Sequence, residues 1–581
     1  MRSDPIRSGP RCHVPKPASR CAVRRWAGKT PWLCWARCAL PHAADANGSF
    51  ESCRLRDALF LVLVLAVAGA WSARLPLDGH EVFVAQTAQE MLQRGDWLVP
   101  YFNGEPRLTK PPLNYWLTAF FAWLSGAGHV LPEHARAVSV FAGVGVCALT
   151  LAAGRLLFPQ QGRIAAGAAL MLASSAGFFT FTHDARSDML YTLLCMGGVT
   201  AFIRAWRRGE GGEPTGWAPY LAWSCYGLAT LAKGPHIPAL FVLACALFAG
   251  YARVPWGKWG ELFRPLSGLA LFAAIALPWW WLLRQEVGAE VFAASQLSGN
   301  LLTGHGKHWF TPYYFYRSLP LMAPWLAPVL AALWSIGRCR PAAETALLLL
   351  LAFIPAIALG LGSQQRPVYI LPALPWLFLL LAKFATAPLG AQPRVVAWAI
   401  PAQWLLILIG GGWLWLRADE SLRAEIPGPT LLALAACGAV WLACLIRRRR
   451  QNLDTGPDMT GTAVLLCLSY ILAGGTPLVW GAERYARSHL EPALQKIGGS
   501  HIPIVSLDES SEVYVYYANR HIEKVADMNE LGRLLEKDGE LAVIARPEAQ
   551  DQFPPGWQVE ILARMPPVKG SRALFLLRRP G

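Results

Sequence analysis

The chain has 581 residues, a length that would ordinarily hold roughly three or four soluble domains. Its composition is wrong for that: 54% of residues are hydrophobic and 15% charged, against roughly 25% charged in an average soluble protein. The net charge of +16 falls between long apolar blocks, so disorder, collagen, a disulfide scaffold and a nucleic-acid partner are excluded, and a polytopic α-helical membrane protein remains.

Charge divides the chain into three regions. Residues 1–56 carry eleven Lys/Arg against Asp4, Asp45 and Glu51. This basic leader, rich in Pro and Cys, lacks a cleavage site after a short apolar stretch. It reads as a disordered cytoplasmic segment or a mis-called start. Cys34 and Cys38 are poorly spaced for zinc, with His13 distant. Residues 57–480 form the membrane body, and 481–581 form a tail that is near-neutral and free of cysteine.

A bilayer crossing takes about 20 apolar residues. Thirteen stretches qualify: 58–74, 135–157, 163–182, 189–206, 217–232, 235–252, 267–284, 317–337, 343–361, 368–387, 394–416, 428–446 and 460–480. A fourteenth, 113–127, is short and follows Pro111-Pro112. If it does not cross, the basic loops around Arg155, Arg207, Arg253, Arg338 and the run 447–450 all share the leader's side. If it crosses, all of them move to the far side. The positive-inside rule selects the first arrangement. The 113–127 stretch is therefore expected to be interfacial or re-entrant, with Trp116 and Trp123 near the headgroups. The N-terminus is cytoplasmic and the tail extracytoplasmic.

The far-face loops hold the polar chemistry. In the first, 75–134, Val82, Ala85, Ala88 and Leu92 recur at near-helical spacing. That predicts an amphipathic helix lying on the membrane, with Asp78, His80 and Glu81 at its N-terminus, where capping also favours carboxylates. Lys110 is a cation at the bilayer surface. The second loop packs His183, Asp184, Arg186 and Asp188 between two spans, and one Asp–Arg pair leaves a carboxylate over. Lys233, in a turn with His236, runs against the orientation rule, which favours an anionic ligand. Arg366 and Tyr369 open a span, and Arg suits bidentate phosphate binding. The stretch bearing His305, Lys307, His308, Tyr313 and Tyr314 reads equally as an aromatic belt. One face thus gathers Lys110, Lys233, Lys307 and Arg366 with Asp78, Glu81 and Asp188. Such cations suit a lipid phosphate, and a carboxylate suits deprotonation of an acceptor hydroxyl. The expected chemistry is glycosyl transfer from a polyprenyl-phosphate sugar.

The strings GDWLVP…NGEPRLTKPPLNYWL, ARSDM, LAKGP, LPWWW and RPVYILPALP, in this order over about 70–400, resemble the bacterial lipid A aminoarabinose transferases. They also resemble the wider protein O-mannosyltransferase superfamily with the GT-C fold. The resemblance implies an inverting transferase, multi-pass in the bacterial inner membrane, working at its outer face. It implies a polyprenyl-phosphate sugar donor, a lipid, glycan or protein acceptor, no nucleotide sugar and no metal or other cofactor. Lys110 and Lys233 match positions that contact donor phosphate, Asp188 matches a second-loop carboxylate, and Arg366 and Tyr369 match residues near the donor. Tyr115, Arg186, His305 and Lys307 are further candidate substrate contacts. The family usually carries Asp-Glu where this chain has His80-Glu81, with Asp78 two residues earlier. The base is therefore Glu81, His80 or Asp78, with Glu81 favoured.

The tail reads as a small extracytoplasmic α/β domain. IPIVSL, LAVIAR and RALFLLRR are expected strands, and MNELGRLLEKDG a helix. Two other readings stay open on sequence: a flippase or transporter of lipid-linked sugar, and a surface polysaccharide polymerase or ligase. The transporter reading sits poorly with polar groups at span ends and no internal repeat.

Overall fold

The computed structural model describes residues 46–293, 310–317, 319–336, 342–362, 365–385, 394–417, 428–451, 461–468, 493–494, 497, 501–507, 512–554, 556–564 and 573–579. Contacts divide the chain into a unit of residues 1–58 and a unit of residues 59–581. The leader to residue 45, His305 and Lys307 lie outside the described residues.

Helix α1 (Ala46–Gly69) precedes the first loop, which contains α2 (Gly79–Arg94), a small hairpin of β1 (Tyr101–Phe102) and β2 (Glu105–Pro106), and α3 (Leu113–Ser125). The body continues with α4 (Pro132–Leu157), α5 (Gly162–Ala173), α6 (Ala176–Thr182), α7 (Ser187–Glu210), α8 (Ala218–Ala232), α9 (His236–Tyr251), α10 (Trp256–Phe263) and α11 (Pro265–Val287). Later helices include Leu326–Ile336, Ala343–Gly360, Leu374–Ala385, Arg394–Arg417 and Gly428–Arg450.

Among the described residues, five helices are long and apolar enough to cross a membrane: Pro132–Leu157, Ser187–Glu210, Trp256–Val287, Ala343–Gly360 and Pro367–Ala385. The pair α5–α6, bent by 61°, makes a sixth if taken as one broken span. Its break is local chemistry. Ser174 and Ser175 turn their hydroxyls onto Leu170 O (2.7 Å) and Leu172 O (2.7 Å), and Ser175 Oγ accepts from Phe178 N. Serines at such positions bond the backbone in competition with the helix ladder. Other expected spans are shorter than proposed, such as α8 at 15 residues and α9 at 16; 460–480 lies mostly outside the described residues. Helix α11 leaves large apolar side chains uncovered, with Leu266, Leu277 and Trp281 all exposed, as a helix in contact with lipid would.

The 113–127 stretch forms a single helix of 13 residues closed by Gly126 in the left-handed region. At 1.5 Å per residue it is about 20 Å long, against a hydrocarbon core of about 30 Å. Phe120, Trp123 and Leu124 are exposed, while Asn114, Tyr115 and Ala119 are buried. Trp116 is held by an Nε1 bond to Trp97 O (2.8 Å).

Helix α2 departs from expectation. Instead of lying with one polar face in water, it is buried at Glu81, Val82 and every residue from Val84 to Met91. Its polar side is covered by the tail, through the helix Glu512–Ala518. Tyr517 Oη accepts from Leu77 N (2.8 Å), Tyr516 Oη donates to Val130 O (2.7 Å), and Asn103 exchanges two hydrogen bonds with Ile522 (2.9 and 3.0 Å).

The tail is a five-stranded sheet of order β4-β3-β5-β7-β6, from β3 (Ile504–Ser506), β4 (Glu523–Lys524), β5 (Glu540–Ala545), β6 (Gln558–Arg564) and β7 (Ala573–Arg578). β3 runs parallel to β4 and β5; β7 is antiparallel to β5 and β6. The three expected strands and the helix Met528–Asp538 are present. β4, β6 and Glu512–Ala518 lacked a sequence signal strong enough to read. Alternate residues feed two cores: Ile504, Ala542, Ile544 and Leu574 on the side of Glu512–Ala518, and Val505, Val543 and Phe575 with Leu531 and Leu535 on the other. Burial on both faces explains the continuous apolar runs.

The anchor of the first loop is Arg136 in α4, fully buried with Glu81. Its Nε and one terminal nitrogen grip both Glu81 oxygens (2.7 and 2.8 Å), and the guanidinium also donates to Ser72 O, Leu75 O and Pro76 O. Removing one partner of a buried ion pair costs about 3–5 kcal/mol, while replacing both with apolar groups is often neutral. Arg136→Met should therefore sharply lower the thermal unfolding midpoint and folded yield in detergent. The double variant Glu81→Leu/Arg136→Met should recover part of the loss, and equal stability of Arg136→Met and wild type would refute the anchor.

Candidate active site

A cavity opens between the N-terminal turn of α2, the segment leading into α3, the start of α7, the end of α8 and the short 3-10 helix Pro367–Ala373. It brings together His80, Lys110, Tyr115, Arg186, Asp188, Lys233, Arg366 and Tyr369 from the sequence-derived set, and adds Phe83, Arg107 and Asn114. These come from five separate stretches of chain.

Local sequence explains the placement. Asp78 caps α2 by accepting from His80 N (2.8 Å) and Glu81 N (2.9 Å), while Glu81 bonds back to Asp78 N (3.0 Å), a reciprocal capping box. This fixes the helical turn that bears His80. Gly95 ends α2 in the left-handed region, and Asp96 folds back on the amides of Leu98 and Val99. Indole N–H groups of Trp116 and Trp279 take the carbonyls of Trp97 and Leu98. In the hairpin, Asn103 and Gly104 both have positive φ (54° and 83°), as a two-residue type I′ turn requires. Buried Glu90 accepts from both of their amides (2.6 and 3.1 Å). The GDW and NG parts of the motif are thus backbone chemistry that aims Arg107 and Lys110. Lys233 is positioned by Tyr191, whose hydroxyl donates to Gly234 O (2.9 Å) and accepts from Ile237 N (3.0 Å).

The charges sort into paired and unpaired. Lys233 forms an ion pair with Asp188, both side chains more than nine-tenths buried, and its ammonium lies 4.4 Å from the Tyr369 ring centre. Arg186 faces Asp184 at 2.7 Å and Asp78 at 4.0 Å. Arg107, Lys110 and Arg366 make no ion pair among the described residues. Arg107 stacks 3.8 Å over Phe83 and points Nε toward the Tyr115 hydroxyl at 3.4 Å. The excess of positive charge is visible at Lys110, whose ammonium is pushed down to about 8 by desolvation and by Lys233. Burial, then Arg186, lowers the His80 imidazole below its usual range.

Two sequence expectations change. Glu81, favoured there as the base, does not line the cavity: it is wholly buried, and its oxygens accept from Arg136, Asp78 N and Ala185 N. Asp78 also lies outside the cavity wall, engaged as the helix cap. Asp188 is in the wall, as the partner of Lys233. Asp78, Glu81 and Asp184 bring carboxylate oxygens within 4.8 Å of one another. With Arg136 and Arg186 already compensating them, the trio fits an ion-pair core better than a metal cradle.

Asn114 was missed by sequence reading, since an Asn inside an apolar helix carries no pattern. It is buried in the cavity wall, and neither its amide nitrogen nor its oxygen finds a partner among the described residues. Arg107 had a legible signal, three residues before Lys110 in the same string.

No protein-family model matches the chain. It is 28% identical over 423 residues to an undecaprenyl phosphate-α-4-amino-4-deoxy-L-arabinose arabinosyl transferase of Sodalis glossinidius, covering 67% of this chain and 72% of that protein. It is 27% identical over 429 residues to the corresponding enzyme of Serratia proteamaculans, covering 70% and 75%. The fold matches the crystal structure of ArnT from Cupriavidus metallidurans bound to undecaprenyl phosphate, with a TM-score of 0.67 at 18% identity, over 90% of this chain and 98% of that one.

The Lys110 ammonium must be charged to hold an anion. Affinity for a soluble alkyl phosphate should fall as pH rises through and above about 8, since phosphate itself no longer titrates there. Lys110→Gln should remove that alkaline limb. A limb of the same size in the variant would show that Lys110 does not hold the anion.

Proposed function

We propose that this chain, an integral membrane glycosyltransferase with the GT-C fold, moves a sugar from a polyprenyl-phosphate donor to a hydroxyl of a lipid, glycan or protein acceptor, with inversion. The observation that carries the reading is the trio Arg107, Lys110 and Arg366, unpaired among the described residues around one cavity. A polyprenyl-phosphate sugar carries one negative charge on its phosphodiester, and the phosphate it leaves behind carries up to two. Cations fixed at that phosphate gain attraction as the glycosidic bond breaks, so they bind the transition state more tightly than the substrate. Lys233, held by Asp188 and Tyr369, adds a fourth cation at the wall. Asn114 offers donors and an acceptor to sugar hydroxyls, relieving an amide that otherwise bears the cost of burial. No step requires a metal or other cofactor.

The same reading sets the enzyme in a bacterial inner membrane with thirteen crossings in the body 57–480, the leader 1–56 cytoplasmic and the tail 481–581 periplasmic. The catalytic first loop 75–134 would then work at the outer face, beneath the tail. The relatives' names make 4-amino-4-deoxy-L-arabinose the first sugar to try and lipid A the first acceptor.

The test uses purified protein in liposomes with undecaprenyl phosphate carrying that aminosugar or a hexose, with lipid A as acceptor. Mass spectrometry should show the sugar leaving the donor and undecaprenyl monophosphate appearing. Lys110→Ala and Arg366→Ala should each cut turnover by about 10²–10³. Unchanged turnover in both variants would sink the phosphate role, and donor that crosses the bilayer intact would favour a flippase. Glycan and lipid profiles of a deletion strain beside its complemented strain should identify the acceptor.

A further inference from the structure

Glycosyl transfer to a hydroxyl needs a group that takes the hydroxyl proton, and the cavity narrows the choice. Each carboxylate near it is engaged. Glu81 lies behind the wall under Arg136, Asp78 caps α2, Asp184 pairs with Arg186 and Asp188 pairs with Lys233. Burial pushes the Tyr369 phenol above its usual range, so it is no base at neutral pH. Arg107, Arg186 and Arg366 have no lone pair to offer. Lys110 is pushed down to about 8, but a bound phosphate restores its charge. The remaining wall residue with basic capacity is His80. Its side chain is exposed, and its backbone amide donates to Asp78.

We infer that the imidazole of His80, in the cavity wall at the first turn of α2, is the general base. The inference rests on the glycosyl-transfer reading above. In the step, a ring nitrogen lone pair of His80 takes the acceptor's hydroxyl proton. The oxygen forms the new bond to the anomeric carbon, and the carbon–oxygen bond to phosphate breaks. The bonding pair leaves with the phosphate, which Lys110, Arg107 and Arg366 receive. The imidazolium afterwards releases its proton to water or to the departing phosphate.

The charges facing His80 give the base a pH signature. Asp78 lies on its own element. Arg107, Lys110 and Tyr115 face it from the segment into α3, Arg186 and Asp188 from the start of α7, Lys233 from the end of α8, and Arg366 and Tyr369 from the 3-10 helix. Cations outnumber carboxylates, so the free enzyme keeps His80 neutral to more acidic pH than an ordinary histidine. Donor phosphate offsets those cations and draws the proton affinity back up. The acid limb of kcat/KM should therefore lie below the acid limb of kcat, since the first reports the free enzyme and the second the complex.

The experiment is the liposome assay with undecaprenyl-phosphate aminoarabinose and lipid A, run from acid to alkaline pH. Wild-type protein that leaves the donor untouched overturns the glycosyl-transfer reading itself, and it is measured before any variant. With active wild type, His80→Ala should lower kcat by about 10²–10⁴ while binding of undecaprenyl phosphate stays within about threefold. His80→Asp should keep turnover and move the acid limb toward the carboxylate range, roughly pH 4. His80→Ala turnover close to wild type at every pH, or an acid limb unmoved in His80→Asp, overturns the assignment. A merely structural role would lower phosphate binding and kcat together and leave the limb in place.

Discussion

The geometry of the cavity depends on one buried ion pair. Arg136 projects from α4 into the buried interior and meets four partners: Glu81 of α2 and the carbonyls of Ser72, Leu75 and Pro76. Glu81 in turn accepts from Ala185 N, in the turn that leads into α7. A single guanidinium–carboxylate unit thus joins the exit of α1, the start of α2, α4 and the second loop. Such a unit is costly to desolvate and holds only when each lone pair and proton is used. Both oxygens of Glu81 and the donors of Arg136 are used. The result is a rigid frame on which His80, Arg186 and Asp188 stand in fixed relation.

The frame also explains the uneven charge of the cavity. Carboxylates near the membrane are spent on holding cations that shape the wall: Asp188 on Lys233, and Asp184 with Asp78 on Arg186. What is left over is positive. Close to a bilayer, an unpaired cation loses hydration that an anion can restore. Desolvation, then Lys233, pushes the Lys110 ammonium down to about 8, so an anion beside it would favour its charged form. A phosphate group brought to this cavity would meet that need.

Much of this was legible in the sequence, and the limits have physical causes. The cations Lys110, Lys233 and Arg366 stood out because they break the positive-inside pattern, and the structure collects all three. The strands IPIVSL and LAVIAR stood out because two-sided burial makes unbroken apolar runs. The role of Glu81 was not legible. A carboxylate at a helix start looks the same whether it caps, catalyses or meets an arginine 55 residues away. Nor was the burial of α2, because its cover comes from Tyr517, 440 positions from Leu77 in the chain. A polar face with Gln86, Gln89 and Glu90 reads as solvated until that distant partner is placed.

That distant cover bears on the site. Helix α2 presents His80, Phe83 and Val84 to the cavity and packs its opposite side against Glu512–Ala518. The tail grips the first loop by hydrogen bonds at Leu77, Asn103 and Val130. Leu77 adjoins the capping residue Asp78, Asn103 lies in the turn that aims Arg107 and Lys110, and Val130 is held from the other side by Gln89 of α2 (2.7 Å). The tail therefore touches loop segments on both sides of α2, including the turn that precedes Arg107 and Lys110. Loop backbone of this kind has few apolar contacts of its own and would otherwise open at low cost. An α/β unit without a catalytic motif thus has a physical reason to be present: it converts a loop exposed at the membrane surface into a wall stiff enough to hold a base and three cations within reach of one phosphate.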